Sequence, residues 1–262
     1  GIVTKPGLAL TGTGVSNYLV SSIANFSWLE VALDANGMAG SVDLRGSRFV
    51  TIRGAKIARG EMLLGNTRSC RVGYSHFFES QIRADTGGAL SNFYHDLTLA
   101  NGSRLYYDAG QSTNNIHLNV ALFAGSYGIA TGNGINHPNN LVINHTGANN
   151  SAEGIRSEFG DSTFINTVYV NTASQGFVNY QNRGQLIHFV AANQPYGVSL
   201  TGNNNYFSGF LKIGVTINPC AGSASAGIDN ACAANGASDF SFSNTVDLSS
   251  SFVGKVASDD TA

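Results

Sequence analysis

One spacing constrains this chain more than any other property. Short strand-like segments recur through its middle: "RFVTIR" at Arg48, "SCRVGY" at Ser69, "NFYHDL" at Asn92, "NIHLNV" at Asn115, "NLVINH" at Asn140, "TFINTV" at Thr163, "QLIHFV" at Gln185 and "NYFSGF" at Asn205. Their starts are 21, 23, 23, 25, 23, 22 and 20 residues apart. A unit this short, holding two or three strands, cannot bury its own apolar face and must stack on copies of itself. Each repeat carries a second strand signal about 12 residues on, clearest at "YGIA" from Tyr127, "EGIR" from Glu153, "QGFV" from Gln175 and "YGVS" from Tyr196.

Stacking the segments gives columns. The first reads Arg48, Ser69, Asn92, Asn115, Asn140, Thr163, Gln185, Asn205 and is wholly polar. The second reads Phe49, Cys70, Phe93, Ile116, Leu141, Phe164, Leu186, Tyr206 and is apolar. Period-two alternation assigns the second column to the interior, with Cys70 as a buried thiol, and turns the columns between the apolar ones outward. A solenoid of this kind is a parallel β-helix, each coil bonded to the next at about 4.8 Å. A column of asparagines at a turn then forms a ladder of side-chain amides.

The composition agrees with that architecture. Of 262 residues only 11% are charged, against roughly 25% in an ordinary soluble domain, while 42% are hydrophobic. There are 32 glycines and 28 asparagines. Like charges repeated in one column would repel along the whole stack, whereas amides pair with their own kind. Helical bundles and disordered chains need more charge than this. Net charge is −2, no run of basic residues occurs, and no apolar run approaches the ~20 residues of a membrane span. Neither nucleic acid nor a membrane is expected as a partner. Gly1 in place of an initiator Met points to a processed form or an excised piece.

From about Val42 to Ile213, the Asn–apolar strand starts, Gly–apolar second strands and coil length resemble right-handed parallel β-helix proteins of the pectate-lyase-like superfamily. The tail from Cys220, with "SSSFVGKVASDD", is similar to tails of large bacterial surface β-helix proteins. The first resemblance implies an all-β, right-handed solenoid and an extracellular or cell-surface setting. It implies no single activity, because that superfamily holds lyases, hydrolases, epimerases, tailspikes and adhesins. The Asn-Thr-Asp segment and following Asp-Asp pair of polygalacturonases are absent, and the only paired acids, Asp259 and Asp260, lie in the tail. "YGIATG" at Tyr127 and "YGVSLT" at Tyr196 share only two residues with the Tyr-Gly-Phe-Asp-Pro-His motif of mannuronan epimerases.

Two constellations are candidates for function. Arg71, Tyr94 and His117, with Asp96, Asn119 and Asn144 one column over, are expected on the exterior. An aromatic plate, carboxylate, imidazole and amides suit a glycan, and Asp96 with His117 suits acid–base work. Asp85 and Asp108 are expected one coil apart on the second strand, near the carboxylate separation of retaining glycosidases. The same pair suits calcium as a cofactor. A solvated polar face, or acids paired with Arg83 and Arg156, is the plainer reading of both.

Residues 1–215 are read as the β-helix and 216–262 as a tail that folds back or caps it. Cys220 and Cys232 sit in a stretch with too few bulky apolar residues to order itself. A disulfide between them would close a short loop, worth on the order of 3 kcal/mol; zinc is the competing use, without a second ligand pair nearby. Two functions follow. One is a surface module with a structural, adhesive or glycan-binding role, its partner an extracellular glycan or other surface chains. The alternative is a carbohydrate-active enzyme, a polysaccharide lyase or glycoside hydrolase.

Overall fold

The computed structural model describes residues 41–84, 87–102, 104–108, 110–131, 138–158, 160–200 and 206–221, with the short pieces 9–11, 18–19, 24–25, 27–30, 32–34 and 246–247. Among these there are strands and turns and no helix, hence none long and apolar enough to cross a membrane. The strands pair in parallel, coil upon coil. One column of backbone partners runs Ser27, Thr51, Arg71, Phe93, Ile116, Leu141, Thr163, Gln185, Tyr206. From Thr51 on, coils advance by 20 to 25 residues. The chain is a parallel β-helix, as expected.

The local rule is a five-residue unit. Strands such as Phe93–Ala100, Ile116–Phe123, Leu141–Ala148 and Thr163–Val170 each cover two walls joined at a corner. At the corner one residue takes positive φ: Tyr74, Asp96, Asn119, Asn144, Asn166 and His188 stack there, with φ from 50° to 55°. Five residues earlier stand Ser69, Ser91, Asn114, Asn139, Asp161 and Arg183, and five later Glu79, Asn101, Ala124, Asn149, Asn171 and Asn193, all with positive φ. Asparagine and aspartate tolerate this left-handed conformation because their short side chains bond locally. Each corner resets the in–out alternation, so buried positions fall two, then three, residues apart: Asn115, His117, Val120, Leu122.

At Phe93, Ile116 and Leu141 the parity of the first wall is the reverse of the expected one, whereas Cys70, Phe164 and Leu186 of the expected inward column are buried as expected. Asn92, Asn115 and Asn140 point inward, and Phe93, Ile116 and Leu141 point outward. The interior column beside the asparagines is Ile52, Val72, Tyr94, His117, Val142, Phe164, Leu186, all fully buried. The asparagines are tolerated inside because their amides are spent on backbone groups of the neighbouring coils. Their Oδ1 atoms accept from the backbone N–H groups of Cys70, Asn92 and Asn115 at 2.8, 2.9 and 3.0 Å. Asn115 Nδ2 donates to Ala89 O at 2.8 Å and Asn140 Nδ2 to Ser112 O at 3.2 Å. Cys70 ends this ladder as a buried free thiol, as expected, its ionisation pushed up by burial.

Packing inside is tight. Tyr169 fills the core beside Gly147, where an added Cβ would lie 2.0 Å from its ring. Tyr94, Tyr106, His117 and His145 form an aromatic cluster with ring centroids 4.7 to 5.8 Å apart. The ladder of strands continues to Ala221, past residue 215, and Val246–Asp247 pairs with Leu211–Lys212. Cys232 and most of the expected tail lie outside the described residues; Cys220 pairs through its backbone with Val198.

Candidate functional site on the outer face of the first wall

The reversed parity turns an apolar surface outward. Ile116 is 40% exposed, and Phe93, Leu118, Leu141, Ile143, Ile165 and Ile187 are partly exposed around it. A continuous apolar surface on a soluble protein marks an interaction site more often than a single exposed leucine does. Beside this strip runs a second asparagine ladder, on the corner. Asn119 Nδ2 donates to Asp96 Oδ1 at 3.0 Å, Asn144 to Asn119 at 3.0 Å and Asn166 to Asn144 at 3.2 Å. His188 Nδ1 lies 3.1 Å from Asn166 Oδ1 and continues the chain. The amides donate in one direction, and the run ends on the Asp96 carboxylate. Asp96 also contacts His95 Nδ1 at 2.9 Å; hydrogen bonds from His95 and Asn119 hold its carboxyl below the usual range.

At the Asp96 end the strip becomes aromatic and cationic. His95 stacks on Phe93, centroids 4.6 Å apart, and meets Tyr74 edge-on at 5.0 Å. It lies across Gly73 of the preceding coil, where a Cβ would come 2.2 Å from Nε2. Arg71 covers the Phe93 ring at 5.1 Å and Arg53 the Tyr74 ring at 5.0 Å. Tyr74 is 52% and Phe49 59% exposed.

Four of the six residues expected in the exterior patch, Arg71, Asp96, Asn119 and Asn144, are on this surface. Tyr94 and His117 are corrected: they are 1% and 2% exposed and face the core. Burial depresses His117 to about 3 and keeps it neutral, so it has no part in surface acid–base work. The expected exterior phase came from treating apolar Phe93 and Ile116 as core. Tyr74, Phe93, Asn166 and His188 supply what the two buried rings do not, with His95, buried at 8% exposure, packed against Tyr74 and Phe93. Their signal in the sequence was the five-residue spacing of Asn and Asp, which marks the corners.

The second constellation changes register. Asp108 lies opposite Ala84 on one coil and Thr131 on the next, so Asp85 is not its backbone partner. Asp85 is outside the described residues. Among the described residues, no three His, Cys, Asp or Glu side chains are grouped to hold a metal ion. The same wall carries a cluster the sequence reading did not assemble. Arg156 covers Tyr180 at 5.5 Å and hydrogen-bonds Tyr127, with Glu153 and Glu158 in electrostatic reach. Burial raises Glu153 above the usual carboxylate range, against the pull of Arg156. Its Oε2 is buried and unpartnered among the described residues.

No protein-family model matches the sequence, and no curated protein matches it either. Solved structures do. The A-module of the mannuronan C-5 epimerase AlgE4 of Azotobacter vinelandii matches with a TM-score of 0.59 at 14% identity, over 83% of this chain and 78% of that one. PfbA, a surface adhesin of Streptococcus pneumoniae, matches with a TM-score of 0.42 at 11% identity, over 86% and 78%. At these identities the likeness is one of fold. The architecture agrees with the pectate-lyase-like β-helix that the sequence resembles.

Proposed function

We propose that this chain is a carbohydrate-binding β-helix module that works outside the cell or on its surface, holding a glycan along the outer face of its first wall. The observation that carries this reading is the apolar strip flanked by an exposed amide ladder. Sugar rings offer C–H faces that pack on flat apolar surfaces and hydroxyls that pair with amides. The outer ladder leaves each asparagine with an N–H and a lone pair unspent by its neighbours. Its repeat of about 4.8 Å suits a polymer lying along the axis. The name of one fold neighbour, a mannuronan C-5 epimerase, supports the same class of role.

The test is affinity electrophoresis and calorimetry against neutral and acidic polysaccharides. Binding is expected for at least one glycan, weakened by Ile143→Asp and by Asn144→Ala at unchanged thermal stability. Variants that bind like the parent protein would end the assignment to this face.

A second reading, a carbohydrate-active enzyme, is favoured by Glu153. A carboxyl whose pKa is raised by burial, beside a guanidinium and two phenols, suits a general acid. It predicts new reducing or unsaturated ends from one of these glycans, lost in Glu153→Gln. The same assay with Asp85→Asn and Asp108→Asn, with and without calcium, tests the acid pair.

A further inference from the structure

Coil stacking brings together arginines that the sequence keeps apart. Arg48 lies directly opposite Arg68 on the neighbouring coil. Arg53 and Arg71 stand on the outer face of the same two coils, opposite Gly73 and Thr51. All four are exposed. They are a large share of a chain with 14 Lys and Arg in total. Among the described residues none of the four is paired with a carboxylate. Two acids, Glu30 and Asp96, stand on the corner column at either end, and Asp96 is already bonded to His95 and Asn119.

Like charges directly opposite across strands destabilise a sheet, and the other backbone partners among the described residues avoid them. Here arginine is stacked on arginine at the end of the apolar strip. Two of the guanidiniums lie over aromatic rings, Arg53 over Tyr74 at 5.0 Å and Arg71 over Phe93 at 5.1 Å. Stacking fixes the plane of a guanidinium while leaving its N–H edge free to fork onto an oxyanion. The exposed rings of Phe49 and Tyr74 add apolar plates between the charges.

We infer that Arg48, Arg53, Arg68 and Arg71, with Phe49, Tyr74 and Phe93, form an anion-binding subsite that takes the sulfate or carboxylate groups of an acidic glycan. The inference rests on the glycan-binding reading and narrows it. The neutral strip from Ile116 to Ile187 holds the sugar faces, and the arginine end selects chains bearing negative charge. Binding is then steered by charge at low ionic strength and weakened by salt.

The experiment titrates the full chain with dextran, dextran sulfate and polygalacturonate, and with single-stranded poly(dT), at low and high salt. Dextran sulfate or polygalacturonate should bind at least about tenfold more tightly than dextran, with the preference lost in high salt. Which of the two binds tells sulfate from carboxylate. The Arg53→Gln/Arg71→Gln variant should lose about tenfold in affinity for the acidic glycan. Arg53→Lys/Arg71→Lys should recover only part of it, because lysine keeps the charge but not the stacked fork. Circular dichroism confirms that these exposed substitutions leave the fold intact. Equal affinity for dextran and both acidic polymers, unmoved by salt or by the glutamine variant, would overturn the subsite and leave the glycan-binding reading standing. Binding of none of the three glycans would overturn both. Poly(dT) bound as tightly as the best acidic glycan would overturn the choice of a glycan as the anion's carrier.

Discussion

The protein carries two asparagine ladders that differ in what their amides hold. In the interior ladder, Asn92, Asn115 and Asn140 accept from backbone N–H groups of the coil before. Asn115 and Asn140 also donate to backbone carbonyls. They replace water for groups that water cannot reach. In the exterior ladder, Asn119, Asn144 and Asn166 bond, among the described residues, to the neighbouring side chains of the run from Asp96 to His188. The same residue at the same coil spacing is structural in one place and available to a ligand in the other. What separates them is whether the backbone depends on the amide.

The widest gap between the ladders is expected in stability. Asn115→Ala strands the Asn92 N–H in the core, at roughly 1–3 kcal/mol, while the Ala89 carbonyl keeps the Thr113 N–H as its donor. Chemical denaturation measures it. A cost near that of a surface substitution would mean the interior ladder is ornamental. Gly147→Ala probes the same interior by volume, since its Cβ would enter the Tyr169 ring. Overpacking of this kind costs about 1–3 kcal/mol, and thermal unfolding reads it.

Acidity sharpens the contrast next. His117 is held at about 3 in the folded chain by burial, below its ordinary 6.5. The unfolded chain therefore binds more protons between those values. The stabilisation is fully present above about 6.5 and is lost as pH falls toward about 3. His145, depressed by burial and by His117, adds in the same direction. Urea midpoints across this range should fall with pH, and His117→Phe should flatten the fall. An unchanged slope would remove His117 from the account. The smallest effect belongs to the exterior: Asn119→Ala should cost about 0.5 kcal/mol or less of stability, while weakening glycan binding.

The coil period, the parallel stacking and the presence of an asparagine ladder were all legible in the sequence, because each repeats. The direction of the side chains was legible only in part: Cys70, Phe164 and Leu186 are inward as expected, Phe93 and Ile116 are not. Period-two alternation, carried unbroken through a corner, loses phase at Asp96, Asn119 and Asn144. A buried asparagine beside an outward isoleucine also inverts the usual rule that apolar means inside. For that reason Tyr94 and His117 were expected on the surface and Phe93 and Ile116 in the core. Slips of one residue, such as Asp108 against Ala84, came from aligning segments whose coils differ in length. The arginine patch was hidden because Arg48 and Arg68 are distant in sequence and adjacent only after stacking.

The most direct test follows the asparagine side-chain amides by NMR while an acidic polysaccharide fragment, oligogalacturonate or a sulfated oligosaccharide, is titrated in. The account expects the amide signals of Asn119, Asn144 and Asn166 to move with added ligand, while those of Asn92, Asn115 and Asn140 stay where they are. Shifts confined to the interior ladder, or saturating binding with no change at Asn119, Asn144 and Asn166, would contradict it.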